Sequence, residues 1–289
     1  MREGASPSPG LRRHRTATAA SAVTAVAFLG AVTLGISVGR TTLTAVAAFG
    51  FAAMTGGVAI SHYVEFDVPE RQVWAYGLAS GAMLASAGGL LAPKAIGAHA
   101  TYGGFAIALG YLLGYGAHEL GHLVSHLELP LNAAAGELSL HALAAGTIMG
   151  VVYGSLSELT PLLGFGILAH KFPAGFTGSE SVKQSGLPVY VMVIPASMVA
   201  IAAIPFSIAM PPLSPVLQAV LFGVSTGVFA HVGIDMLPEC SHQGSHADSS
   251  GHVSVQCSRD VHRIKRHAVA STFLGTGTIF VLWQLVAMA

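Results

Sequence analysis

Residues 188–210 read PVYVMVIPASMVAIAAIPFSIAM, and this stretch decides the fold class. It carries no charged side chain from end to end. A helix rises 1.5 Å per residue, so such a run crosses the ~30 Å hydrocarbon core of a bilayer. Helix is the expected form, because lipid offers no partner to an exposed backbone amide.

Working outward, comparable apolar runs recur at about 17–38, 42–62, 73–93, 103–126, 134–156, 160–178, 215–238 and 268–288. The expected fold is therefore all-α, a polytopic transmembrane helix bundle. The composition agrees. Only 9% of the 289 residues are charged, against about 25% in a soluble domain. Mean hydropathy is +0.66. The 35 glycines suit close approach of helices in lipid. Net charge is zero and no basic surface is evident, so no nucleic-acid partner is expected. Two cysteines, Cys240 and Cys257, make no disulfide framework.

Charge placement orients the bundle. With the N-terminus inside, cytoplasmic segments hold Arg2, Arg12, Arg13, Arg15, Arg71, Lys183, Arg259, Arg263, Lys265 and Arg266, ten of the thirteen basic residues. Arg40 and Lys94 fall outside, and Lys171 lies within a span. The basic start before 17–38 also fits a signal peptide. The length of the run and the span that follows it at once favour a retained helix. Residues 239–267, rich in Ser, Gly and His, read as a mobile cytoplasmic loop.

Fourteen histidines outnumber either the acids or the basic residues. A titratable group at membrane depth costs about 2.5–3.5 kcal/mol on insertion scales and tends to carry function. His141 and His170 each lie near mid-span on consecutive segments, where two imidazoles can grip one ion; imidazole suits Zn, Cu, Fe and Ni. Pro173 is expected to interrupt the second helix and free a carbonyl. Lys171, beside His170, needs a partner acid or a neutral amine. The competing reading is a pair of core histidines bonded to backbone or hydroxyl groups.

The stretch GYGAHELGHLVSHLELP at 114–130 places His118, His122 and His126 on one helical stripe, with Glu119 between the first two. HELGH is an H-E-x-x-H string, a zinc-protease signature when it stands on a helix. It fits a metal path, a protease site with Glu119 as base, or a solvated cluster at a helix end. In GVFAHVGIDMLPECSH, His231 and Asp235 share a face at i, i+4, with Glu239 beyond them near the cytoplasmic exit. Helix-end solvation is the plainer reading. Cys240, His242, His246, His252 and Cys257 follow, at spacings that match no zinc finger.

The segments at 141–146, HALAAG, and 170–175, HKFPAG, resemble the H-N-x-x-E-G and H-x-x-P-E-G patterns of the ZIP family of metal transporters. SGAMLASAGGLLAPKAI at 80–96 is similar to that family's second helix and GVFAHVGIDMLPE at 227–239 to its seventh. HRIKRHAVASTFLGTGTIFVLWQLV at 262–286 resembles its last loop and eighth helix. The resemblance runs from about residue 42 to the end. It implies an eight-helix ZIP-like core over 41–289, preceded by a basic N-terminus and one extra helix over 1–40. It also implies His141 and His170 as metal ligands between the fourth and fifth core helices. The family's orientation matches the one read from charge. Ala142, Ala145, Lys171 and Ala174 depart from its pattern. Without those carboxylates the expectation is one metal, held by neutral histidines with carbonyls, hydroxyls or water. His118, Glu119 and His122 are candidates to compensate.

The expected protein is thus not an enzyme. It is a transporter of divalent metal ions toward the cytoplasm, with Zn²⁺ first and Fe²⁺ or Mn²⁺ as further candidates. Its site set is His141, His170, His118, Glu119, His122, His231 and Asp235. Its partners are the ion and the lipid bilayer of the cell membrane, and a homodimer is compatible with the sequence. The alternatives are a metal-sensing relative that does not transport, and an intramembrane zinc protease built on HELGH.

Overall fold

The computed structural model describes residues 9–63, 69–125, 133–155, 161, 164, 170–211, 213–241, 254–256 and 261–288. It is an all-helical membrane bundle with one short strand pairing. The helices are α1 (Pro9–Ser37), α2 (Thr41–Ile60), α3 (Pro69–Ser86), α4 (Ala92–Ala98) and α5 (Ala100–Ser125). They continue as α6 (Ala133–Ser155), α7 (Lys171–Gln184), α8 (Val193–Ala209), α9 (Pro215–Asp235) and α10 (Val261–Met288). Among the described residues, six stretches are long and apolar enough to span a membrane: Arg13–Ser37, Thr41–Ile60, Glu70–Ala98, Val189–Ala209, Pro215–Asp235 and Val261–Leu285. Leu138–Gly154 is a shorter apolar helix.

Local chemistry sets several boundaries. Gly39 (φ 76°) ends α1, with Arg40 N–H donating to Gly35 C=O and Gly39 N–H to Ile36 C=O. Gly186 (φ 71°) ends α7 in the same way, through Leu187 to Val182 and Gly186 to Lys183. Only glycine holds that left-handed position without strain. Between α3 and α4 a π-helical turn covers Ala87–Leu91. Pro93 follows it and cannot donate to the preceding turn, and the widened turn absorbs that break. Buried Ser21, Ser86, Ser225 and Thr226 donate to carbonyls four residues back, which hides their hydroxyls from an apolar surround.

The helices fall into two groups. One holds α1, α2, α6, α7 and α8; the other holds α3, α4, α5, α9 and α10. Packing is extensive within each group and sparse between them. Small residues make the tight seams. Gly146, Gly150 and Gly154 of α6 lie against Val199, Ala203 and Ser207 of α8, so these helices run parallel. Gly110 and Gly114 of α5 meet Val224 and His231 of α9 likewise, Gly103 lies against Ala95 of α4, and Gly77 and Gly81 of α3 meet α10. Gly57 of α2 rests on the backbone of α7 at Phe172 and Phe176. Helix α1 is held by Phe28 stacking on Phe51, ring centroids 4.2 Å apart, and by packing on α8. A thin apolar layer joins the groups, with Met83, Leu91, Phe222 and Phe229 meeting Ala142, Met149 and Val199.

Two expectations are corrected. The helix expected from 268 begins at Val261, because Arg263, Lys265 and Arg266 are good helix formers and extend it into the headgroup zone. The loop expected over 239–267 also carries β1 (Glu239–Ser241) paired in parallel with β2 (Ser254–Gln256). Pro173 lies in the first turn of α7, where its missing N–H costs little, and most residues between Ser155 and His170 lie outside the described part, so its expected effect on a longer helix falls there.

Candidate metal site

His141 stands on the third turn of α6, half-buried and next to the fully buried Ala142. His170 is the N-cap residue of α7 and is 3% exposed. The two imidazoles face each other inside the first helix group. Their Nε2 atoms are 3.4 Å apart, with ring centroids at 5.5 Å and planes at 77°.

That separation is informative. At this distance one imidazole N–H can donate a long hydrogen bond to the other ring, the direction depending on the tautomers. Two nitrogens bound at about 2.0–2.1 Å to one tetrahedral zinc are held about 3.3–3.4 Å apart. The pair already has the spacing of two ligands on one ion. The interlocked α2–α7 and α6–α8 seams fix both backbones, so little rearrangement is needed to bring the rings together.

Lys171 is 1% exposed, and its Nζ has no hydrogen-bond partner among the described residues. It lies within electrostatic reach of His141. No described acid answers it. Glu137 stands one helical turn before His141 on α6, within GELSLH at 136–141, and its side chain lies outside the described part of the structure.

The second predicted pair forms elsewhere. His231 Nε2 of α9 lies 3.2 Å from Asp235 Oδ2, as the i, i+4 spacing requires. Tyr111 and Tyr115 of α5 turn their rings edge-on to His231, at centroid distances of 5.2 and 6.2 Å. Gly114 makes room for it, since a Cβ there would come 2.8 Å from His231 Cδ2. This pair belongs to the α5–α9 seam in the second helix group.

His118, Glu119 and His122 stand on the last turns of α5, but their side chains lie outside the described part of the structure. So do the side chains of Glu239 and Cys240 on β1. His126, His242, His246, His252 and Cys257 lie outside the described residues altogether. Among the described residues no three His, Cys, Asp or Glu side chains converge as a metal cluster. Of the seven predicted site residues, the structure brings together His141 with His170, and His231 with Asp235. No protein-family model matches the sequence, and no curated protein matches it either.

Proposed function

We propose that this chain is a membrane transporter of divalent metal ions, with zinc as the first candidate, and that the ion is held between α6 and α7. The observation that carries this reading is the 3.4 Å separation of two imidazole nitrogens within an apolar bundle. Neutral imidazoles bind zinc without adding net charge, which suits a site lined by alanine rather than carboxylate. Carbonyls, hydroxyls or water would complete the shell.

In this reading α2 to α10, with α3 and α4 counted as one broken helix, form a ZIP-like core of eight spans, and α1 is an added ninth. His141 and His170 then sit on the fourth and fifth core helices. The N-terminus lies in the cytoplasm, the protein resides in the cell membrane, and ions move inward. The sparse seam between the two helix groups supports alternating access, with one group rocking against the other around the site.

The test is zinc uptake into proteoliposomes by the purified protein, with His141→Ala and His170→Ala as separate variants. Uptake should be lost in both, and unchanged uptake in both would remove the mechanism. A second reading, metal sensing without transport, draws on the cation at Lys171 and on Ala145 and Ala174 where acids would drive exchange. Zinc binding that depends on both histidines, without any flux, would favour it.

A further inference from the structure

The α3–α10 pair carries basic side chains that the bundle does not use. Arg263 is spent, its Nη2 2.8 Å from Glu70 Oε1. His267 is spent too, because its Nδ1 accepts from Trp74 Nε1 at 3.0 Å. Lys265 and Arg266 are exposed, and no hydrogen bond or ion pair holds either among the described residues.

Their place on the helix says what they face. Lys265, Val269 and Phe273 share one stripe at steps of four residues, and Val269 and Phe273 are 58% and 74% exposed. Arg266 heads the neighbouring stripe through Leu274 and Val281, each 54% exposed. Such side chains in a membrane bundle face lipid tails. From Val269 to Met288, α10 rises about 30 Å, the thickness of the hydrocarbon core. Lys265 lies one turn, about 6 Å, beyond that apolar length, at headgroup depth.

We propose that Lys265 and Arg266 bind the headgroup of an anionic phospholipid whose chains lie along the Val269–Phe273 face of α10. Charge complementarity selects the lipid: two cations sit at the level of the phosphates, directly above an apolar stripe that takes the acyl chains. The headgroup ties the α3–α10 pair to one leaflet, at the end opposite Lys94. Zwitterionic lipid reaches the same stripe but brings no net charge to the pair. This inference does not depend on the transport reading.

The chain has two tryptophans, so the Trp283→Phe variant leaves Trp74, beside this patch, as the sole reporter. The experiment measures quenching of Trp74 by brominated phosphatidylglycerol and by brominated phosphatidylcholine, in vesicles of each lipid and of their mixtures. Phosphatidylglycerol should bind more tightly. Each neutralised residue should lower its relative binding constant about five-fold, and Lys265→Gln with Arg266→Gln by on the order of twenty-five-fold. Lys265→Arg with Arg266→Lys should keep the preference, and so should Lys94→Gln. The melting temperature of every variant in pure phosphatidylcholine should match that of the parent. An equal preference in the parent and the double Gln variant would overturn the proposal. So would an equal loss in Lys94→Gln, or displacement of the quenching by inorganic phosphate, which would mean a free anion site.

Discussion

Two histidine pairs sit in apolar helices of this bundle, and they differ in what answers each imidazole. His231 faces a carboxylate, Asp235, within its own helix, and two tyrosine rings enclose it. All three of these neighbours belong to the α5–α9 seam. His170 faces a second imidazole from another helix, and the neighbouring cation, Lys171, meets no described acid. Burial alone therefore does not mark a functional histidine. The chemistry of the partner does. An imidazole beside a carboxylate has an acceptor within its own helix, whereas two imidazoles at this spacing are, in the proposed reading, arranged to share one cation.

The sharpest way to break the comparison is to remove one imidazole from each pair. In the proposed site His170→Ala takes away one of two direct ligands, so zinc uptake should fall by more than roughly 100-fold, beyond the loss typical of a residue that only supports a ligand. His231→Ala should leave zinc affinity within a few-fold of the parent. Isothermal titration with zinc and uptake by the same preparation check both. Equal losses at the two positions would merge the sites and defeat the distinction.

The second effect should fall on stability. Asp235→Ala leaves His231 in the seam without its carboxylate, and a buried polar group deprived of its partner costs about 1–3 kcal/mol. The melting temperature in detergent should drop clearly while zinc affinity holds. An unchanged melting temperature would show that the tyrosine rings and the tight Gly114 contact, not the ion pair, define that pocket.

Lys171→Met probes the other side. Met fills a similar volume without the ammonium. If the lysine repels the bound ion, removing it should tighten zinc binding by about tenfold, the equivalent of roughly 1.4 kcal/mol. Weaker binding would instead assign the amine a supporting role beside His170.

How much of this was legible in the sequence follows from range of interaction. The spans and both i, i+4 relations are local, and a single helix fixes them. The apolar run at 188–210 thus predicted α8 closely, and His231 with Asp235 followed from the helical period. The His141–His170 meeting crosses between helices. The chain hinted at it only through equal depth on consecutive spans and through the family-like motifs. The π turn at Ala87–Leu91 was hidden, because Gly88, Gly89 and Pro93 mark a break without giving its form. The early start of α10 was missed because charge was taken as a helix boundary. In a membrane protein long basic side chains extend a helix through the headgroup zone. The α3–α10 ion pair lay within the stretch read as loop, so no sequence spacing announced it.

That pair gives the smallest expected effect and isolates burial as the variable. Glu70 with Arg263 is a carboxylate–guanidinium pair at 2.8 Å, and Asp235 with His231 is a carboxylate–imidazole contact at 3.2 Å. They differ in solvent: the side chains of Arg263 and Glu70 are 55% and 26% exposed, those of His231 and Asp235 only 7% and 17%. Water screens the first pair, and exposed pairs of this kind contribute about 0–1 kcal/mol. Glu70→Gln should therefore shift the melting temperature little, and added salt should erase most of the shift. The Trp74–His267 bond and the Gly77 and Gly81 contacts keep α3 on α10 without it. A loss as large as that of Asp235→Ala would mean that this junction is drier than its exposure indicates, and burial would no longer separate the two pairs.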